Sequence, residues 1–379
     1  MPNLDLTGAQ VLGPDGLHGD RLSFLDGRIF EDTVGQSVNL RGYLVLPGIV
    51  DIHGDGFERH MAPRRGAMKL LSDGLVAAET ELAANGLTTA VLAQFISWEG
   101  GLRGLDFAEQ VFAAIRGTAH GLVTDIRAQL RFETHLLDLF DSLPERLSAW
   151  GVDYVVFNDH LPHDRLRDGR KPPRLVGQAL KAGRNPDAHF ELLLQLHGQH
   201  EAVPEALDAL CARLLENGVR MGSHDDATSA GRAAWQKRGV HIAEFPETIE
   251  AAESTIASGN CVVLGAPNVV RGGSHAGNVS AVDLIAMGLC TALASDYHYP
   301  SPRRAALMLA ESGVLDLKAA WKLVSSGPAQ ILGLHDRGQL VPGQRADLLI
   351  LDAQTKRVAA TLCRGRFSYL SGDIAERFI

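Results

Sequence analysis

YLVLPGIVDIHGDGFERHMAPR, residues 43–64, is the stretch on which the fold turns. It opens as an apolar, β-type run and closes on Asp51-Ile52-His53-Gly54-Asp55, with Glu58 and His60 just beyond. Side chains alternate along a strand, so His53 and Asp55 point to the same side and can reach one cation. A doubly wound open sheet would call for a glycine fingerprint after its first strand, and His-Gly-Asp stands there instead. Metal-type side chains at the carboxyl end of a parallel strand mark the catalytic face of a barrel.

Seven more β-type runs follow: LTTAVLAQF (87–95), IRAQLRFE (126–133), DYVVFND (153–159), VRMGSHDD (219–226), HIAEFPE (241–247), CVVLGAP (261–267) and TALASDY (291–297). Amphipathic stretches such as SDGLVAAETELAANG (72–86), PEALDALCARLLENG (204–218) and SAGRAAWQKRG (229–239) separate them. Alternation of this kind signals a parallel sheet with crossover helices. Eight units over roughly 290 residues is the size of a (β/α)8 TIM-like barrel, which predicts an α/β fold with the barrel at residues 48–336. Both chain ends carry short β-type segments rich in Gly and Asp, so residues 1–47 and 337–379 are expected to pair into one small β-sandwich domain.

The composition narrows the function. A net charge of −9 gives no basic footprint for nucleic acid. No apolar run approaches the ~18 residues of a membrane span, and the start MPNLDLTGAQ lacks a basic, then apolar, leader. Cys211, Cys261, Cys290 and Cys363 are scattered without a CxxC pair, as expected of reduced thiols in a cytoplasmic protein. A homo-oligomer is compatible with all of this.

The other strand ends repeat the chemistry of the first. They carry Glu133 and His135, then Asn158-Asp159-His160, then Ser223-His224-Asp225-Asp226, and finally Ser295-Asp296. Imidazole and carboxylate together suit zinc, manganese or iron better than calcium. Such a site needs an open position for water, and a nearby carboxylate to take its proton. Asp296 is the candidate base. Glu58, His60, Asp159 and Asp226 are candidates for orienting the ligands. After the seventh run, Asn268, Arg271, Gly272, Gly273, Ser274 and His275 form a candidate phosphate-binding loop. Arg59, Arg64, Arg65, His163 and Arg165 could extend it. His189, His197 and His200 lie in a helical stretch and read as exposed or packing residues, with no metal site among them.

These residues bring a family into view. LPGIVDIHGDGFERHMAPR (46–64) and GQLVPGQRADLLILD (338–352) resemble the entry to and return from the barrel in the amidohydrolase superfamily. RFE (131–133), NDHLPHDR (158–165), SHDDAT (223–228), AEFPET (243–248), GAPNVVRGGSHAGN (265–278) and ASDY (294–297) resemble one branch, the PhnM family of phosphonate metabolism. The resemblance implies two divalent metal ions, zinc or manganese, held by His53, Asp55, Glu133 (as a bridging carboxylate), His160, His224 and Asp296. It implies a small phosphorylated substrate, α-D-ribose 1-methylphosphonate 5-triphosphate, cleaved to the 5-phosphate and diphosphate by metal-bound hydroxide. It also implies a link with carbon–phosphorus lyase pathway proteins. The alternative on the same scaffold is cleavage of a C–N bond by a deaminase, cyclic amidase or deacetylase. Gly54 and Gly56 stand where the family carries Thr and Asn.

Overall fold

The run at residues 43–53 reads as one strand but folds as two, in different sheets: Tyr43–Pro47 and Ile49–Gly54. Gly48 makes the break. A side chain there would collide with that of Thr88, and its N–H donates to the Asp347 carbonyl at 2.8 Å. The computed structural model describes residues 2–62, 70–273 and 277–378.

Eight strands form the sheet that carries the chemistry: β1 (Ile49–Gly54), β2 (Leu87–Ile96), β3 (Asp125–Glu133), β4 (Tyr154–Asn158), β5 (Arg220–His224), β6 (Ile242–Glu244), β7 (Cys261–Gly265) and β8 (Ala292–Ala294). They neighbour one another in chain order, and a parallel bridge from Gly54 to Asp296 links first to last. The result is a nearly closed parallel barrel, as the sequence predicts. Each of the eight expected runs contains one of these eight strands. β2 is buried along its whole length, the pattern of a strand covered on both faces.

The chain divides into two compact units. One comprises residues 1–92, 118–127 and 261–379. It holds the sheets built from the chain ends, where Tyr43–Pro47 pairs antiparallel with Leu348–Asp352 and parallel with Gln10–Gly13. Leu4, Leu6, Phe24, Val45, Leu348 and Leu362 pack in the core of these sheets, so the two chain ends share one hydrophobic interior. Asp125 fastens the return of the chain: its carboxylate accepts from Arg337 (2.5 Å) and Arg345 (3.3 Å), both almost fully buried.

The other unit comprises residues 93–117 and 128–260. Two of its helices start on threonines placed a few residues after strand ends. Thr228 caps Ser229–Lys237 by accepting from Gly231 N–H, and Thr248 caps Ile249–Ala257 by accepting from Ala251 N–H. Trp98, Leu161, Leu166, Leu193 and Leu196 form a small core under the segments that follow β2 and β4.

Candidate active site

Two groups of ligand-type side chains stand at the strand ends, one in each unit. In the first, His53, Asp55 and Asp296 each offer a ligand atom within 4.8 Å of the others. Backbone pairing fixes them: Asp296 N–H donates to the His53 carbonyl (3.0 Å), and Asp55 N–H to the Asp296 carbonyl (2.9 Å). Behind them the fully buried Asp51 accepts from Ser295 N–H (2.8 Å) and Oγ (2.5 Å), locking β1 to the end of β8. Burial pushes the Asp51 carboxyl up to about 7 against these hydrogen bonds. Gly54 is required here, since an added Cβ would lie 2.8 Å from Asp51 Oδ2, Ser295 Oγ and Tyr299 Cε1. The fully buried Tyr299 thus takes up the space beside Gly54.

In the second group, His160, His224 and Asp225 offer ligand atoms within 4.8 Å of one another. Glu133 lies against His160, its Oε1 2.6 Å from Nδ1 and its Oε2 accepting from the backbone N–H at 3.1 Å. That contact leaves the other ring nitrogen of His160, Nε2, facing Asp225 Oδ2 at 3.5 Å. Burial opposes a charged His160, but the hydrogen bonds to Asp225 and Glu133 outweigh it and push the imidazole up to about 9. Burial likewise raises the Asp225 carboxyl, and the two histidines more than reverse this, holding it far below the usual carboxylate range. Arg131, buried, lies over the Phe95 ring at 4.0 Å, close to Asn158.

Asp225 escapes a reading by alternation. The strand ends at His224, and Asp225 adopts left-handed backbone (φ 60), which turns its carboxylate back to 2.8 Å from His224 Nδ1. Asp296 does the same after β8 (φ 55). Glu244, also outside the sequence-based set, is fully buried at the end of β6. It accepts from Gln129 (2.9 Å) and Tyr154 (2.6 Å), with a carboxylate oxygen within 4.8 Å of a His224 nitrogen.

Other candidates are committed elsewhere. His60 Nε2 is 2.6 Å from Glu81, a residue it shares with Arg59. Asp226 accepts from Ser223 (2.6 Å) and pairs with the buried Arg232 (3.2 Å), so it clamps the loop after β5. Asp159 bonds His163. Glu58 opens the one-turn helix Glu58–Met61 after Asp55. The segment after β7 is expected as a loop but begins as a helix, Ala266–Arg271, because Pro267 suits a first turn and the left-handed Gly272 (φ 76) caps its end. Gly272 and Gly273 N–H groups donate to the Val269 and Asn268 carbonyls, and Asn268 Oδ1 accepts from Ala281 N–H. Arg271 is exposed in the last turn. Ser274 and His275, like Arg64 and Arg65, lie outside the described residues.

Over 327 residues the chain is 34% identical to the alpha-D-ribose 1-methylphosphonate 5-triphosphate diphosphatase of Escherichia coli (strain K12), covering 83% of this chain and 85% of that protein. The chain belongs to the PhnM family of the amidohydrolase superfamily. Residues 278–369 match the model of the amidohydrolase family. Among solved structures, a crystal structure of an amidohydrolase superposes with a TM-score of 0.67 at 15% identity, over 98% of this chain and 100% of that one. N-acyl-D-glutamate deacylase from Bordetella bronchiseptica, complexed with zinc and a phosphonate inhibitor, gives 0.61 at 15% identity, over 97% and 96%. These two likenesses show the shared fold. The chain is a metal-dependent hydrolase.

Both ligand groups suit divalent cations. Each combines imidazole with carboxylate, the donor mixture of zinc and manganese sites. No helix of the described residues is long and apolar enough to cross a membrane. All four cysteines are free thiols.

Proposed function

We propose that this chain hydrolyses the triphosphate of a ribosyl phosphonate, α-D-ribose 1-methylphosphonate 5-triphosphate, to the 5-phosphate and diphosphate. The observation that carries the reading is the pair of ligand groups, His53–Asp55–Asp296 and His160–His224–Asp225, in a chain 34% identical to a diphosphatase of that name. Displacement at phosphorus demands neutralisation of charge spread over the phosphate oxygens. Two divalent cations, one per group, supply that neutralisation and lower the pKa of water.

The chain's own residues do the rest. Asp296, held by its backbone bond to His53, takes the proton of the attacking water on its carboxylate. Glu133, against Nδ1 of His160, fixes the ring so that Nε2 faces the ligand position. Arg271, exposed at the end of its helix, together with His275, holds the departing diphosphate. The same reading places the enzyme in the cytoplasm, on a phosphonate route alongside carbon–phosphorus lyase proteins, as residues 48–336 with a sandwich of residues 1–47 and 337–379.

The test is incubation of zinc- or manganese-loaded protein with the ribosyl triphosphate and with ATP, resolving products by phosphorus NMR. Diphosphate with the 5-phosphate is the expected result. Inertness towards every phosphoanhydride, with turnover of an N-acyl amino acid or cyclic amide, overturns the proposal in favour of C–N cleavage.

A further inference from the structure

A second concentration of imidazole lies apart from the two ligand groups. His135 follows β3, His163 opens the short helix His163–Arg167, His197 ends the helix Pro186–Gly198, and His200 begins the next turn. His197 and His200 are close in the sequence, but His135 and His163 come from separate stretches and join them only in the fold. The ring centroids of His135 and His163 are 4.9 Å apart, as are those of His163 and His200, and His135 stacks on His200 at 5.8 Å. His135, His163 and His200 each offer a ring nitrogen within 4.8 Å of the others.

We propose that His135, His163 and His200 form a further binding site for a zinc-like divalent cation, distinct from the strand-end ligand groups. Three observations converge on it. His135 is 1% exposed, and its Nε2 has no hydrogen-bond partner among the described residues. Leaving a buried nitrogen unsatisfied is costly, and a bound cation offsets that cost. Asp159 lies 3.0 Å from His163 Nε2 and 3.5 Å from His135 Nδ1, the carboxylate–histidine arrangement that orients metal-binding rings. His197, with Nδ1 2.8 Å from that of His163, is a fourth imidazole at the edge.

The geometry favours a cation over a phosphate: the buried His135 presents an unpartnered Nε2, and the Asp159 carboxylate beside His135 and His163 would repel an anion. Neutral imidazoles are ligands for zinc, cobalt, nickel or copper; anion capture needs the protonated ring.

The experiment counts metal and is independent of the diphosphatase reading. Full-length protein is stripped with a chelator, dialysed against Zn²⁺ and measured by elemental analysis, beside His200→Gln and the double variant His163→Gln/His200→Gln. His200 is exposed, so its replacement leaves the fold intact, as circular dichroism checks. The double variant is expected to bind one equivalent fewer than the wild type. His53→Ala/His224→Ala, which disables the strand-end groups, is expected to keep one equivalent that disappears when His163 and His200 are also replaced. In Co²⁺-loaded protein the visible bands of that ion vanish in step. Equal metal content in wild type and double variant overturns the proposal, whatever the enzyme hydrolyses.

Discussion

Gly54→Thr, the change that restores the family's residue, should damage this protein, and Tyr299→Ala should partly repair it. An added Cβ at residue 54 stands 2.8 Å from Asp51 Oδ2, Ser295 Oγ and Tyr299 Cε1, where ordinary contact is 3.4–4 Å. Each neighbour must therefore retreat by roughly 0.6 Å or more, and all three are fully buried, so overpacking should cost about 1–3 kcal/mol. Tyr299→Ala alone leaves a cavity, worth about 3–5 kcal/mol by analogy with other large-to-alanine changes. Combined, the threonine methyl occupies space vacated by the ring, so the double variant should be more stable than the sum of the singles by about 1 kcal/mol or more. Urea unfolding of chelator-treated protein measures the cycle. The same displacement shifts His53 and Asp55, which flank residue 54, so Gly54→Thr should also lose metal that the double variant regains. Additivity within about 0.5 kcal/mol, with no change in metal content, would refute the claim that Tyr299 occupies this space.

Asp225→Asn keeps the shape of the second ligand group but removes its charge; metal affinity there should fall by at least about 100-fold, read by competition with a chromogenic chelator. Asp125→Asn should destabilise the protein by about 3 kcal/mol, because it takes one of the carboxylates from the buried Arg337 and Arg345 and leaves them Asp336 and Asp347 as charged partners. Burial acts to raise the Asp125 carboxyl, yet Arg127, Arg337 and Arg345 hold it below the usual range. A depressed pKa gives stability that is complete above the unfolded value of about 3.9 and is lost as pH falls through the lower folded value. The gap between wild type and variant should therefore be constant near neutrality and close in acid; a gap that widens as pH falls contradicts this origin.

The barrel was legible because its strands are apolar runs buried on both faces, and the paired chain ends because their β-texture recurs at 4–45 and 337–379. Legibility stopped where the backbone leaves regular geometry. His53 and Asp55 lie together, as alternation along a strand expects; continued alternation would put Asp226 beside His224, where Asp225 stands instead. The left-handed residue after β5 reverses that order and sends Asp226 to Ser223 and Arg232. The helix after β7 was hidden by its glycines, which look like a loop until one is seen to cap a helix. The imidazole cluster was legible only in part: His197 and His200 stand three apart in the sequence, but tertiary packing alone brings His135 and His163 to them.

Among the six non-glycine residues with left-handed backbone, Asp225 and Asp296 share a design. Asp225 and Asp296 each stand one or two residues beyond a strand, in a conformation that costs a non-glycine residue on the order of 1–3 kcal/mol. Each N–H is tied to a neighbouring carbonyl, that of Glu244 for Asp225 and that of His53 for Asp296. Glycine adopts left-handed backbone without that cost. At both positions an aspartate carboxylate oxygen lies within 4.8 Å of a nitrogen of a histidine at the end of a barrel strand, as a ligand role would require. Replacing either by glycine should relieve the backbone while abolishing metal binding in that group, separating the structural cost of the position from its chemical use.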